Sequence, residues 1–428
     1  EPPGEKLVVL TRYLSDKGDA EKADSLMRSL ARPYPDVSLA HYAVATMALR
    51  AGDYEYASKR AKRAIELDPD GLKPKLLYAR VLLSSGETEK AIDFTARIIG
   101  DDPDPDPDAR MELAILYMMA DREDDALSQV NQVLLEQSGR MDALRLGAII
   151  HFHQGQLDAA WDDFNNLLAS RRFTMDALYY LGRISDYRDE TDRAIRFFSE
   201  VTQGADALES QRRAAVLRTH RNDDLSGALT QLDDFAKASP SHAVDALVVK
   251  AQLLASVDEY EDALKLFNKV QGIRPDHEGT ALGRAELLLR MDRLDEALES
   301  YADAARRWPK SALSLNAYGY TLADRTERYR EAEKLIRKAL RYDSENPAII
   351  DSLGWVLFKL GRYDEALVEL ERAWAGMQDH EVAAHIVETL FVMGREDEAR
   401  KRLEEAEELT PESPLLKAIR SRLFAEYD

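Results

Sequence analysis

Apolar residues recur every three or four positions in short segments, and polar turns separate these segments along most of the chain. This spacing places the apolar side chains on one face of a helix. In the segment DSLGWVLFKLGRYDEALVELERAW, residues 351–374, two such stretches meet at the turn residue Gly361. The pattern therefore predicts pairs of amphipathic helices joined by tight turns.

An alanine recurs every 33 to 35 residues in one register along the chain. These register alanines are Ala23, Ala57, Ala91, Ala126, Ala160, Ala194, Ala228, Ala263, Ala297, Ala332, Ala366 and Ala399. Five residues earlier stands a turn former: Gly at 18, 52, 86, 155, 361 and 394, Asp at 121, 189, 223, 258 and 292, and Glu at 327. Four residues after most of the alanines stands a bulky apolar residue, and proline often follows further on.

This register has a physical interpretation. A small alanine lets two helices approach closely, the bulky residue one turn later fills the space beside it, and proline ends the second helix. One pair cannot bury its apolar face alone, so pairs stack. We predict an all-α fold, a right-handed α-solenoid superhelix of about twelve helix pairs over residues 1–412. Residues 413–428 are expected to form a C-terminal capping helix.

The helix–turn–helix of about 34 residues, with its Gly or Asp turn, register alanine and terminal proline, resembles the tetratricopeptide repeat. The resemblance covers almost the whole chain and implies that the first helix of each pair lines an inner face. Gly319 and Gly354 would then be close helix–helix contacts. Three repeats have Ser138, Arg172 and Asp206 in place of the proline, and one residue is inserted between Gly319 and Ala332.

Two segments one repeat apart, LNAYGY (315–320) and IDSLGW (350–355), place polar and aromatic residues on the expected inner face. The candidate groove residues are Asn316, Tyr320, Asp351, Trp355 and Lys359. Aromatic rings beside polar groups suit the capture of an extended peptide. Ordinary core filling between neighbouring helix pairs explains the same residues, and the sequence leaves both interpretations open.

The first helical segment, EKLVVLTRYL (5–14), is apolar on more than one side. The terminal repeat of a solenoid normally presents a polar outer face, because no neighbour covers it. Leu7, Val8, Leu10, Tyr13 and Leu14 are therefore candidate partner-binding residues. The alternative is contact with residues that lie outside this chain.

Charge and composition make several classes of function unexpected for this chain. The 428 residues carry a formal net charge of −21 and contain no cysteine. Nucleic acid is thus an unexpected partner, because phosphate backbones are bound by basic clusters. His380 and His385 in HEVAAH are five residues apart, whereas the zinc helix motif needs four. With no phosphate loop or nucleophile elbow either, we predict no metal, no cofactor and no enzymatic activity.

Acidic residues also recur near the starts of first helices, at Asp108, Asp142, Asp176 and Asp245. They could form an acidic stripe along the groove. Helix capping and compensation of the helix dipole require acids at the same places, and we favour that interpretation.

The segment ENPAIIDSLGWVLFKLGRYDEALVELERA (345–373) is similar to tetratricopeptide lipoproteins of Gram-negative bacteria. It most resembles the outer-membrane lipoproteins that bind and activate a periplasmic carboxyl-terminal processing serine protease. This resemblance implies a scaffold that holds the protease and delivers protein substrates, among them cell-wall hydrolases. It also implies anchoring at the periplasmic face of the outer membrane through a lipidated cysteine upstream of Glu1. A scaffold in an envelope export or polysaccharide secretion complex remains the alternative.

Overall fold

The computed structural model describes residues 3–15 and 19–424, which form helices and connecting turns without any β-strand. The first twelve helices are α1 (Pro3–Ser15), α2 (Ala20–Ala31), α3 (Ser38–Arg50), α4 (Tyr54–Leu67), α5 (Leu72–Ser84), α6 (Thr88–Gly100), α7 (Pro107–Met119), α8 (Glu123–Glu136), α9 (Met141–His153), α10 (Leu157–Ala169), α11 (Thr174–Tyr187) and α12 (Thr191–Glu200). The remaining helices are α13 (Ala207–Asn222), α14 (Leu225–Ala238), α15 (Ala243–Ser256), α16 (Tyr260–Ile273), α17 (Glu278–Arg290), α18 (Leu294–Arg307), α19 (Ala312–Arg325), α20 (Tyr329–Leu340), α21 (Pro347–Lys359), α22 (Tyr363–Gly376), α23 (His380–Val392), α24 (Glu396–Leu409) and α25 (Pro414–Phe424).

Each even-numbered helix from α2 to α24 contains one register alanine and packs against the helix before it. The described chain thus consists of about twelve helix pairs followed by α25, as the repeat pattern predicts. All twelve register alanines are buried, and all except Ala23 have no exposed surface. Phe164, Phe198 and Leu232 are fully buried one helical turn after their alanines. The prediction of an all-α solenoid architecture is confirmed.

The turns between paired helices confirm the predicted backbone role of Gly and Asp. Ten of these residues have a positive φ, from +52° at Asp223 to +82° at Gly86. Glycine adopts this left-handed conformation without steric cost, and aspartate tolerates it better than most residues. Gly18, the turn former predicted for the first pair, lies outside the described residues.

The turn predicted at Glu327 differs from the others. Glu327 does not adopt a positive φ. Instead, α19 is followed by the C-cap residue Thr326, whose φ is −143°. The Thr326 hydroxyl donates to the Leu322 carbonyl at 2.6 Å and accepts from the backbone N–H of Arg328 at 3.0 Å. The inserted residue lets an extended connection replace the left-handed turn, because the hydroxyl satisfies backbone groups at the end of the helix.

Glycines inside first helices allow close packing in the places where the sequence predicts it. A Cβ atom at Gly354 would lie 2.5 Å from Cγ of Leu370, and one at Gly319 would lie 2.7 Å from Cγ1 of Ile336. Both partners are fully buried bulky residues that follow a register alanine. The missing side chain therefore makes room for the large residue of the paired helix.

The chain divides into two compact units, Glu1–Asp206 and Ala207–Asp428. Unit 1 contains α1 to α12, and unit 2 contains α13 to α25. In unit 2, α25 packs against α23 and α24 through the buried residues Leu416, Ile419 and Phe424. The assignment of 1–412 as one solenoid body and 413–428 as its cap stays a prediction, and residues 425–428 lie outside the described part.

Helices long and apolar enough to cross a membrane are not found among the described residues.

Candidate functional site

The first candidate region is helix α1, which packs against α2 and α3 in unit 1. Leu7 is 6% exposed inside a cluster with Met27 and Met47, and the half-buried Leu10 and Leu14 pack against that cluster. Val8 is also half-buried, whereas Tyr13 is 59% exposed. Three of the five predicted residues therefore hold α1 in place, and the outward apolar surface lies elsewhere on the helix.

The exposed apolar surface of this region comes from two helices. Val9 on α1 is 66% exposed, four residues before Tyr13. On α2, Leu26 and Leu30 are 46% and 39% exposed and are also four residues apart. Residues at this spacing share one helix face, and α1 and α2 contact each other. The candidate binding residues included Tyr13 but not Val9, Leu26 or Leu30, although the sequence shows the four-residue spacing of Val9 and Tyr13 and of Leu26 and Leu30.

The second candidate region is the aromatic patch of unit 2, which we define as Asn316, Tyr320, Asp351, Trp355 and Lys359 with the neighbouring His385. Asp351 is 6% exposed, and its Oδ1 lies 2.9 Å from Nδ1 of His385 on the next first helix, α23. The His385 ring stacks on Trp355 with centroids 4.1 Å apart and 19° between the planes. Trp355 is itself 6% exposed and also stacks on Phe358.

The rest of the patch is half-buried. The Lys359 ammonium lies 4.3 Å from the centroid of the Trp355 ring, a cation–π arrangement. Burial raises the pKa of the Tyr320 hydroxyl well above its usual range. Two polar atoms of the patch, Oδ1 of Asn316 and Nε1 of Trp355, are buried without a hydrogen-bond partner among the described residues.

The geometry of the patch favours core packing for Asp351 and Trp355. The Asp351 carboxylate is held by His385, and Trp355 is enclosed between the rings of Phe358 and His385 and the ammonium of Lys359. A peptide would reach Trp355 only after this stack had moved, because its indole nitrogen has almost no surface. The binding role of the aromatic patch stays a prediction, and the more accessible members that carry it are Lys359 and Tyr320.

The recurring acids Asp108, Asp142, Asp176 and Asp245 lie in the first turns of α7, α9, α11 and α15. None of them is the N-cap residue; Asp106 caps α7, for example, by accepting from the backbone N–H of Asp108 at 2.8 Å. Each acid instead pairs with an arginine. Arg140 binds both Asp108 and Asp142, Arg145 binds Asp176, and Arg274 binds Asp245. The acids therefore do not form a free acidic stripe.

Two of these arginines, Arg140 and Arg145, border a cavity that sequence reasoning missed. The cavity has a volume of about 410 Å³ and lies in unit 1 on the face made by the first helices α3, α5, α7 and α9. Its apolar lining includes Leu76, Met111 and Ile115, and its charged lining consists of four cationic and three anionic side chains. We call this feature the unit 1 cavity.

A buried ion pair forms part of the cavity wall. Glu112 is 4% exposed, and both of its carboxylate oxygens accept from Arg80, at 2.8 Å from Nε and 2.5 Å from Nη2. Hydrogen bonding to Glu112 raises the pKa of the Arg80 guanidinium above its ordinary value. The Arg80 side chain remains 56% exposed, so it satisfies the buried acid while still facing the cavity.

Histidines do not converge on a metal site within the described ranges. His385 is held by Asp351, and His380 lies 3.7 Å from Asp379. In HFH (151–153), His151 Nδ1 lies 2.9 Å from Asp163. Residues 3–15 and 19–424 contain no group of three or more His, Asp or Glu side chains that could hold a metal ion.

Comparison with known proteins agrees with the repeat geometry. Models of the tetratricopeptide repeat match residues 48–108, 325–385 and 357–423, and a further model of this repeat matches 282–347. The matched ranges are tetratricopeptide repeats. It is 33% identical over 217 residues to the TPR repeat-containing protein PA4667 of Pseudomonas aeruginosa. This similarity covers 50% of the chain but only 36% of the relative, so the chain spans about a third of that protein's length.

Solved structures of low identity also align with the chain. Yeast Tom70 aligns over 99% of the chain and 95% of its own at 14% identity, with a TM-score of 0.47. Cut9 in the APC/C hetero-tetramer Cut9–Hcn1 aligns over 98% of the chain and 96% of its own at 13% identity, with a TM-score of 0.42. TTC0263, a TPR protein of Thermus thermophilus, covers 42% of the chain and 99% of its own at 21% identity, with a TM-score of 0.39.

Proposed function

We propose that this protein is an adaptor that binds and activates a carboxyl-terminal processing serine protease and helps to deliver its protein substrates. The substrates include cell-wall hydrolases. The working location is the periplasmic face of the outer membrane, where a lipid anchor outside this chain would hold the adaptor. The partners are proteins, and the membrane is engaged only through that anchor.

The general part of this proposal rests on the repeat architecture. Tetratricopeptide repeats are protein-interaction scaffolds, and a stack of helix pairs offers an extended surface to which several partners can bind. The protease, its substrates and the location rest on the resemblance of residues 345–373 to the lipoproteins that activate such proteases. The single structural observation that supports a docked partner is the exposed apolar surface of α1 and α2, which consists of Val9, Tyr13, Leu26 and Leu30.

The proposed mechanism is tethering. A scaffold that holds protease and substrate together turns their encounter into an effectively intramolecular event and raises the local concentration. Activation requires a further step, because a ligand shifts a conformational equilibrium only by its differential affinity for the two states. The adaptor would therefore bind the active arrangement of the protease more tightly than the inactive one.

The test measures cleavage of a cell-wall hydrolase by the purified protease with and without this protein. We expect the double variant Val9→Asp/Leu26→Asp to lose most of the activation, about tenfold or more, because charges replace exposed apolar surface at an interface. The matched control is Val368→Asp/Val392→Asp, which introduces the same two charges at residues that are 68% and 50% exposed on α22 and α23 in unit 2.

Equal activation by the double variant and the control would exclude the α1–α2 surface as the protease contact. Absence of any activation by the unmodified protein, together with recovery of export or secretion components in an envelope pull-down, would contradict the protease assignment. In that case the scaffold role would remain with a different partner.

A further inference from the structure

We propose that a second cavity of unit 1 is a docking site for a short segment of a protein partner that carries lysine or arginine next to apolar side chains. The cavity lies between the α4–α5 connection and the α6–α7 connection, and we call it the connector notch. The inference goes beyond the proposed function, because it holds whichever protein the scaffold recruits. The connector notch shares no lining residue with the unit 1 cavity.

The apolar wall of the connector notch has room for the side chains of a partner. The notch has a volume of about 700 Å³, compared with about 410 Å³ for the unit 1 cavity. Five apolar side chains of this wall are half-buried: Ile65, Leu72, Phe94, Ile98 and Pro105. Apolar surface here is therefore still in contact with water, and covering it with apolar side chains of a partner is favourable.

The charged part of the connector notch is mainly acidic. Its lining contains the four anionic side chains of Asp70, Asp101, Asp102 and Asp106 and the two cationic side chains of Lys75 and Arg97. Among the described residues, none of these six groups takes part in an ion pair. The excess of carboxylates beside the apolar wall attracts a cationic segment more strongly than a neutral or anionic one.

Two of the acids stand where helix electrostatics disfavour them. Asp101 is the C-cap residue of α6, and Asp102 follows it. The C-terminus of a helix carries partial negative charge, so a cation is favourable there and a carboxylate is not. The second helix α16 has the opposite arrangement, because its C-cap residue Arg274 binds Asp245 at 2.8 Å. At the end of α6 the chain supplies no such cation, and we assign that role to the partner.

The connector itself holds the acids in place. In the segment DDPDPDPDA (101–109), three prolines alternate with aspartates, and proline restricts both its own backbone and that of the residue before it. Oδ1 of Asp102 accepts from the backbone N–H of Asp104 at 3.0 Å, and Oδ1 of Asp106 accepts from that of Asp108 at 2.8 Å. Carboxylates that are already positioned lose less conformational entropy when a ligand binds.

The same acids do not suit a metal ion. Calcium takes six to eight oxygen ligands in one shell, and the described residues contain no group of three or more acids and histidines that could hold a metal ion. A lysine or arginine needs only one or two carboxylates for its head group, and its aliphatic stem covers apolar surface. The chemistry of the connector notch therefore fits a basic and apolar polypeptide segment.

The experiment measures fluorescence anisotropy of labelled synthetic peptides with the full chain. The probe peptide places lysines and leucines next to each other in a serine-rich sequence. Matched peptides replace the lysines by glutamine, the lysines by glutamate, or the leucines by serine. We expect the lysine–leucine peptide to bind about tenfold or more tightly than each matched peptide, with lower affinity at higher salt.

Three variants and one control locate the binding. Asp101→Lys and Asp102→Lys should each weaken binding of the lysine–leucine peptide by about tenfold, because the new charge repels it. Ile98→Ser should weaken it by about threefold, because apolar contact is lost. The control Asp93→Lys makes the same charge change at an exposed residue of α6 that does not line the notch.

Thermal unfolding separates a binding effect from a folding effect. Asp101→Lys should be at least as stable as the unmodified protein, because a lysine suits the C-terminus of a helix. Weaker peptide binding by a fully stable Asp101→Lys protein, together with unchanged binding by Asp93→Lys, would support the proposal.

Equal binding of the lysine, glutamine and glutamate peptides would overturn the proposal, as would equal weakening by Asp101→Lys and Asp93→Lys. Equal binding of the peptide without leucine would show an acidic surface with no apolar site, and would overturn it too. Displacement of the peptide by calcium chloride, but not by sodium chloride at the same ionic strength, would show a metal-ion site instead.

Discussion

The unit 1 cavity and the aromatic patch of unit 2 occupy equivalent places in their repeats, yet one is open and the other is closed. Arg80 lies eleven residues before the register alanine Ala91, and Trp355 lies eleven residues before Ala366. The Arg80 side chain is 56% exposed, whereas Trp355 is 6% exposed. The same backbone position thus serves as a wall of a cavity in one unit and as core in the other.

The neighbouring position repeats this contrast. Arg145 and Asp351 each lie fifteen residues before their register alanines, Ala160 and Ala366. The two terminal nitrogens of Arg145 make no hydrogen bond to any described residue beside the cavity, whereas the Asp351 carboxylate is hydrogen-bonded to the buried His385. The comparison shows that the repeat fixes where a side chain points, and the residues of the next first helix decide whether it stays accessible.

The largest effect should come from removing the ring that closes the patch. Trp355→Ala should lower the free energy of unfolding of unit 2 by about 3–5 kcal/mol, since a buried aromatic side chain is replaced by a cavity. At the equivalent place in unit 1, the double variant Arg80→Gln/Glu112→Gln keeps a hydrogen-bonded pair without the charges. It should cost about 1 kcal/mol or less.

Urea unfolding followed by circular dichroism measures both changes. A Trp355→Ala protein with nearly unchanged stability would contradict the core assignment. It would return Trp355 to the candidate groove residues.

A smaller effect is expected at the glycine that admits Leu370. Gly354→Ala should destabilise unit 2 by about 1–3 kcal/mol, because the added Cβ would lie 2.5 Å from Cγ of Leu370 in a packed core. Gly272→Ala is the matched control, since that glycine lies in α16 with no atom near the added Cβ. Thermal unfolding of the two variants compares their stabilities directly. A destabilised Gly272→Ala together with an unaffected Gly354→Ala would contradict the close contact between Gly354 and Leu370.

The smallest effect concerns the turns, which both units share. Gly361→Ala forces an alanine to a φ of +75° and should cost about 1 kcal/mol. Asp292→Gly, at a φ of +57°, should be nearly neutral, because glycine adopts that conformation freely. Chemical denaturation resolves the difference, and equal costs at both turns would show that left-handed geometry does not determine residue choice there.

The features that depend on local sequence could be predicted from the sequence. The register alanines, the Gly and Asp turns and the close contact at Gly354 follow from spacing within one repeat, because helix periodicity and turn conformation are local properties. The prediction of a left-handed turn at Glu327 was wrong for a local reason as well. The inserted residue lets the Thr326 hydroxyl hydrogen-bond the backbone groups at the end of α19.

The features that depend on pairing between repeats could not be predicted in this way. Asp351 meets His385, and Arg80 meets Glu112, across 34 and 32 residues respectively. Reasoning from one repeat at a time therefore left both a groove role and a core role open for Asp351 and Trp355, and it overlooked Arg80 and Arg145. Alignment of the first helices on their register alanines would have shown arginines at inward positions in unit 1.

The most direct test of the open and closed regions is hydroxyl-radical footprinting of the full chain, in which the oxidation rate of each side chain is compared with its rate in the urea-unfolded protein. Arg80, which is 56% exposed at the unit 1 cavity, should keep much of its unfolded rate, whereas Trp355, which is 6% exposed, should be strongly protected. Strong protection of Arg80 together with little protection of Trp355 would contradict the account.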